Sequence, residues 1–482
     1  MLPLTPTVHP LVRSALAEPG LFSPLVDALG SPLNVLFPQI ASENADALAE
    51  ACRVRGVTAR VHFAHKANKS RCVVRQLAAE GHRIDVSSER ELCAALSAGF
   101  TPDRIEATGP KSDAFLLLLI QHGVLVSLDS EDETTRLLAL RSRAGLRAAT
   151  PILLRVSGFA DASTAAQLRD SRFGVPVARV DNLLRSLSER REEWDLRGFA
   201  FHLDTVSIRE KALALEAAIG LCEGARSYGF QPSIVNAGGG LRVSYLEHEE
   251  EWQAYLKALQ DAALGRREPL TWNGISMGWR SEKGVLRGAQ NFYDYYARPA
   301  GSSYLGELLD TPLEGLEGLP AGTALAERML TLMLEPGRAL LDQAGITLGR
   351  VSFRKTSVKG ETLVGVEMNK NNLWSSEQEI LVDPLLLPKD GASRTPTDGG
   401  LYLVGNLCLE NDLLFRHKVF LGALPEPGDL LAFVNTAGYY MDFAESSSIQ
   451  HPVAAKVAVV RDRRGFRWFA DDLYRPQIHL QS

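Results

Sequence analysis

The chain has 482 residues, which is long enough for two or three domains and a large core. It is 45% hydrophobic and 23% charged, ordinary for a globular protein, and its net charge of -6 leaves no basic footprint for nucleic acid. The longest leucine-rich run, Phe115 to Ile120, falls far short of the roughly 18 apolar residues that span a bilayer.

The N-terminus carries no basic segment followed by an apolar core, so the expectation is no secretory leader and a cytoplasmic protein. Cys52, Cys72, Cys93, Cys222 and Cys408 are scattered, with no CxxC and no Cys/His pairing. That pattern points to a reducing compartment, without a disulfide frame or a zinc site. All but Cys408 read as small core hydrophobes.

In chain order, Ser31-Pro32-Leu33-Asn34-Val35-Leu36-Phe37 reads first as a strand. Val61-His62-Phe63-Ala64-His65-Lys66-Ala67-Asn68 is an apolar, strand-like run closed by a lysine. A lysine there is costly to desolvate, desolvation lowers its pKa, and a neutral amine is what a Schiff base requires. The competing reading is a surface lysine that caps a strand. Short β-branched runs then alternate with helical patterns: 61–66, 84–87, 105–108, 124–128, 152–156, 198–203, 234–236 and 332–335 read as strands. The helical segment 208–228 opens after Thr205 or Ser207, either of which suits an N-cap. Strand-then-helix units repeated in this way predict a (β/α)8 TIM-like barrel, with a doubly wound open sheet as the competing arrangement.

Between Gly240 and Leu332 lie about ninety residues, far more than one strand–helix unit needs. They hold the acidic run Glu247-His248-Glu249-Glu250-Glu251 and the aromatics Trp272, Trp279, Phe292, Tyr293, Tyr295 and Tyr296. This is either a decorated loop with its own small core or a lid over the site. Past Gly345, 351–356, 362–368, 401–404, 430–434 and 453–460 read as strands with little helix between them, a C-terminal β-domain. The expected domains are 1–38, joining the β-domain; 39–345, the barrel, with an insertion near 242–330; and 346–482, the β-domain.

The chemistry clusters at the ends of the barrel strands. Gly238, Gly239 and Gly240 follow a strand and suit an anion nest, although triple glycine is also a hinge. Glu335 ends the last strand, where a carboxylate can hold a protonated ring nitrogen, and Arg338 can grip a phosphate. His202 closes the sixth strand, placed either to stack on a flat ring or to serve the fold as a structural histidine.

These motifs, in this order, resemble the fold type III pyridoxal-phosphate enzymes (the alanine racemase-like fold), in the group of diaminopimelate, ornithine and arginine decarboxylases. The resemblance runs from about Ser31 to Val460. Phe63-Ala64-His65-Lys66-Ala67-Asn68 looks like the cofactor-lysine motif, which implies that Lys66 carries pyridoxal 5'-phosphate. Asp85-Val86-Ser87-Ser88 and Ser171-Arg172-Phe173-Gly174 resemble two further family segments, the second with arginine in place of lysine. His202 matches the histidine that stacks on the ring, and Glu335 the partner of the pyridine nitrogen. Gly238, Gly239, Gly240, Gly337, Arg338 and Tyr439 match the phosphate side, and Thr205, although it departs from the family residue, can still donate to a phosphate. Gly405-Asn406-Leu407-Cys408-Leu409-Glu410-Asn411-Asp412 resembles the motif of the catalytic cysteine, which in the family reaches in from a second subunit. The resemblance therefore implies a homodimer with shared sites.

It also implies decarboxylation of an amino acid through an external aldimine and a quinonoid carbanion, with Lys66 or Cys408 returning the proton. Three features depart from the family pattern. Leu409 stands where an acidic residue reads a distal ammonium, which leaves Glu410 and Asp412 as candidates. Met368-Asn369-Lys370-Asn371-Asn372-Leu373-Trp374-Ser375-Ser376 lacks the arginine that grips a distal carboxylate. Asp204-Thr205 replaces Gly-Ser. The expected substrate is a non-standard or diamino acid. The alternatives are a racemase, epimerase or lyase on the same scaffold, and a catalytically silent binding or regulatory relative.

Overall fold

The computed structural model describes residues 1–159, 171–374 and 379–476. The chain forms two compact units. One comprises residues 41–242 and 299–340 with the C-terminal tail from 475, the other residues 1–40, 243–298 and 341–474.

The first unit is the barrel. Its strands are Ala59–Ala64, Arg83–Val86, Ile105–Ala107, Leu125–Leu128, Thr150–Ser157, Trp194–Ala200, Ile234–Asn236 and Thr331–Leu334. Each pairs in parallel with the next, and Thr331–Leu334 pairs back onto Ala59–Ala64, which closes the ring. Seven match the apolar runs within two residues at each end, whereas the sixth, expected at 198–203, runs from Trp194 to Ala200 and stops before His202. The open-sheet alternative fails at the pairings Val126 with Ile152 and Leu332 with Ala59, which leave the ring without an edge. Caps set the helices between strands. Ser88, Ser112, Ser130 and Ser207 each accept an N–H from the first turn of the helix that follows, and Gly99, Gly123 and Gly145 end helices in the left-handed conformation. Ser207, not Thr205, caps Ile208–Ala225.

The second unit is built on one sheet. Its strands run in the order Leu385–Leu387, Leu430–Val434, Gly345–Thr356, Leu33–Leu36, Ala455–Asp462 and Gly465–Ala470, with Thr362–Val366 pairing off Gly345–Thr356 and Tyr402–Val404 beyond it. Leu33–Leu36 lies antiparallel to Gly345–Thr356 and parallel to Ala455–Asp462, so the two ends of the chain meet in this sheet. Leu385–Leu387 and Gly465–Ala470 have no counterpart among the predicted strands.

The long stretch after Gly240 divides between the units. Residues 243–298 belong to the sheet unit, whereas 299–340 return to the barrel as the helices Gly301–Asp310 and Ala321–Glu327 and the eighth strand. The aromatics of 243–298 pack on one another: Trp252 and Trp279 meet Phe292 edge-on at 6.0 and 5.9 Å, and Tyr295 lies 5.1 Å from Tyr245. Tyr295 is fully buried and its hydroxyl meets that of Tyr440 at 3.0 Å. The cluster continues into the rest of the sheet unit, where Trp272 meets Tyr402 at 5.1 Å. Cys52, Cys72 and Cys222 are buried as expected, but Cys93 is exposed on its helix and is not a core residue. Among the described residues, no helix is long and apolar enough to cross a membrane.

Candidate active site

A cavity of about 630 Å³ opens at the C-terminal ends of the barrel strands, the face where barrel loops build sites. Lys66, Arg155, His202, Thr205 and Glu335 line it, together with Arg172 and Phe173. Four sequence candidates from three strand ends thus share one wall.

Lys66 sits in the short turn His65–Ala67 that follows the first strand. Its side chain is exposed to the cavity, so the burial expected of it falls on its neighbours instead: His65 is 3% and Asp85 1% exposed. The sixth strand ends at Ala200, and His202 lies in the turn beyond it. His202 Nδ1 accepts the Gly239 N–H at 3.2 Å. Burial, and then the positive charge of Lys66, push its pKa down to about 3, so the ring is neutral, with Nδ1 as an acceptor.

The glycine run packs behind His202 and does not line the cavity. A Cβ on Gly238 would lie 2.7 Å from His202 Nδ1, and one on Gly239 2.6 Å from the Glu335 carbonyl oxygen. Side chains are excluded there because two strand ends close on the run. Two of its N–H groups are already committed: Gly238 donates to Asn236 Oδ1 at 2.8 Å and Gly239 to His202. The open nest of three amides that the sequence suggests is therefore reduced. Beneath it lies Lys211, 2% exposed, which donates to the Gly239 carbonyl at 2.8 Å. Burial pushes its pKa down to about 8.

Glu335 directly follows the eighth strand, and the carbonyl of Pro336 accepts the Ala64 N–H at 3.2 Å, which ties this turn to the strand of Lys66. Gly337 is buried, Arg338 is half-buried, and neither lines the cavity. Glu335 Oε1 accepts the Asn236 carboxamide at 2.6 Å. Asp85 and Glu106 lie in the same interior, with Thr108 Oγ1 donating to Asp85 at 2.7 Å. Burial and then the negative charge of Glu335 push Asp85 up to about 8 and Glu106 well above the usual carboxylate range. The sequence reading missed Glu106, Asn236 and Lys211 as site elements. The available signal was a glutamate in the middle of an otherwise apolar barrel strand.

The remaining candidates lie in the sheet unit. Cys408, Leu409 and Glu410 are exposed on one loop. Asp412, expected to read substrate, is 4% exposed and gives its carboxylate to main-chain N–H groups, accepting that of Leu407 in its own loop at 2.7 Å and that of Lys370, about forty residues away, at 2.9 Å. Tyr439 adopts φ 74° in a turn and packs edge-on against Phe443 at 5.8 Å. Of the segment 368–376, Ser375 and Ser376 lie outside the described residues.

Residues 43–269 match the family model described as pyridoxal-dependent decarboxylase, pyridoxal binding domain. An uncharacterised protein of Sinorhizobium fredii is 33% identical over 95% of this chain and 94% of its own length. The diaminopimelate decarboxylase of Vibrio cholerae is 26% identical over 82% of this chain and 80% of its own. The crystal structure of the M. jannaschii diaminopimelate decarboxylase with L-lysine shares the fold, with a TM-score of 0.68 and 17% identity over 93% of this chain and 91% of that one. The chain belongs to the fold type III pyridoxal-phosphate-dependent decarboxylase family.

Proposed function

We propose that this protein removes the α-carboxylate of a non-standard or diamino acid, with pyridoxal phosphate attached to Lys66. The observation that carries the reading is the shared cavity: Lys66, His202 and Glu335 come from three separate strand ends and face one space. The residues fit the cofactor. The volume of about 630 Å³ suits a small aromatic phosphate with an amino acid, and positions 238 and 239 admit no side chain. When bound, pyridoxal phosphate supplies an electron sink for the charge left by the departing carboxylate.

The roles of the chain's own groups follow from their chemistry. Lys66 offers an amine for attachment and moves a proton near the reacting carbon. Neutral His202 offers a flat face without adding charge. Glu335 holds a proton on the ring nitrogen. Thr205, on the cavity wall, holds the phosphate, and the glycine run behind His202 keeps side chains out of that end. Cys408 returns a proton to the α-carbon from a second copy of the chain, so the working form is a homodimer. The exposure of Cys408 on its loop supports this.

The substrate reading rests on relatives named diaminopimelate decarboxylases and on local departures from their pattern. With Asp412 committed to main-chain N–H groups, Glu410 is the acid left to read a distal ammonium.

Two measurements test the proposal. The protein reconstituted with pyridoxal phosphate is expected to release carbon dioxide from at least one member of a panel of L- and D-amino acids. Solvent deuterium entering the α-position of recovered substrate without gas release would instead identify a racemase. Lys66→Ala is expected to lose the covalent cofactor and about 10²- to 10⁴-fold in turnover.

A further inference from the structure

We infer that Glu106 is a positioning residue that acts through Asn236 on Glu335. The inference rests on the reading that Glu335 partners the ring nitrogen of the cofactor. Asn236 ends the seventh strand and is fully buried, as is Glu106 on the third. The Asn236 amide nitrogen lies 2.6 Å from Glu335 Oε1 and 2.8 and 3.1 Å from the two oxygens of Glu106. Its two N–H bonds thus serve one carboxyl each, while Oδ1 accepts the Gly238 N–H at 2.8 Å. Every polar atom of this carboxamide is committed, which fixes its plane. The Gly238 carbonyl in turn accepts the Glu335 N–H at 2.9 Å. Glu106 therefore anchors a chain of hydrogen bonds that runs from the barrel interior to the carboxylate at the cavity.

A buried glutamate is costly to desolvate, so its presence here calls for a use. What glutamate adds is an acceptor for the second amide N–H. Without it that N–H is orphaned in a dry interior, and the amide is free to turn away from Glu335. Charge makes the arrangement one-sided. The groups that face the cluster are Asp85, Glu335, Lys66, Glu91, Thr108 and Lys111. Lys111 is itself committed, with Nζ on the carbonyls of Gly109 and Ser127 at 2.6 Å and on Glu133 at 3.2 Å. Three carboxyls in one buried space cannot all ionise. Burial and the neighbouring carboxyls push Glu106 well above the usual carboxylate range, so it favours the protonated form. A neutral Glu106 accepts the amide without adding charge beside Glu335.

The test uses the full chain, with and without pyridoxal phosphate. In the cofactor-free protein, difference infrared spectroscopy is expected to show the carbonyl stretch of a protonated, buried carboxyl that disappears in Glu106→Gln. If Glu106→Gln leaves the spectrum unchanged, Glu106 is ionised and the inference fails. In the reconstituted protein, Glu106→Gln keeps an acceptor oxygen, and its cofactor affinity and visible band are expected to stay within about threefold and near the parent pH profile. Glu106→Leu orphans the amide and is expected to weaken cofactor binding about tenfold and to move the pH midpoint of the visible band. Asn236→Leu is expected to reproduce Glu106→Leu, and the double variant to be no worse than either single one, because both cut the same chain of bonds. Additive losses, or a Glu106→Leu protein with the parent's affinity and pH profile, would overturn the inference. Should Glu106→Leu not fold, Asn236→Leu and the infrared comparison decide. A parent protein that binds no cofactor at Lys66 would sink the proposed function instead, and the infrared result is read without cofactor.

Discussion

Two clusters of buried carboxyls, one in each unit, are held in opposite ways. In the sheet unit, Glu379 is 7% exposed and Asp429 fully buried, and burial alone would raise both. It does not prevail there. His417 at 2.9 Å and Arg416 at 2.7 Å hold Glu379 below the usual range, and Arg394 does the same for Asp429. In the barrel, Asp85 and Glu106 face other carboxyls and both are pushed up. Asp383, also in the sheet unit but held by backbone amides with no cation, rises to about 8. The cation, more than the depth, decides the sign. Paired acids are what a scaffold uses, and crowded unpaired acids are what a proton-handling site uses.

The sharpest way to break the contrast is to remove a cation from the scaffold. Arg394→Met leaves Asp429 buried without its partner and is expected to cost about 3–5 kcal/mol, read as a lower denaturation midpoint without change in the cofactor band of the surviving fold.

Next in size is Asp85→Asn in the cofactor-free protein. The folded pKa of Asp85, about 8, lies above its ordinary 3.8, so between those values the folded state binds more protons than the unfolded. Its contribution is complete below pH 3.8 and is lost as pH rises through 8. The variant is expected to flatten the decline of stability across that window and to be the more stable protein at its upper end by about 1 kcal/mol or more. An unchanged slope would place Asp85 among the paired acids.

The smallest effect belongs to His202→Gln. The folded pKa of about 3 lies below the ordinary 6.5, so the contribution of His202 is present above pH 6.5 and lost as pH falls toward 3. The variant is expected to soften the acid limb by at most about 1.4 kcal/mol per pH unit. Buried His62, lowered to about 3 in the same way, keeps its own share of that limb.

The comparison also explains what could be read from the residues alone. Lys66, His202 and Glu335 stand at or just beyond the ends of apolar runs, and the barrel brings strand ends to one face, where these three line one cavity. The glycine run stood out by composition, but its packing against His202 and the Glu335 backbone did not, since two strands distant in sequence create that crowding. Asp412 followed a family-like motif, yet its carboxylate turned inward to Lys370, a contact across about forty residues that no local pattern encodes.

The alternation of strand and helix, the serine and glycine caps and the groups at each strand end are legible in the residues alone, because these depend on neighbours within a few positions. Which buried carboxyls are pushed up and which are held low follows instead from the closed fold. Glu106 and Glu379 are the same residue type, similarly buried. One meets carboxyls across the barrel and the other meets Arg416 and His417, and electrostatic energy in a dry interior depends on distances that only the closed fold sets.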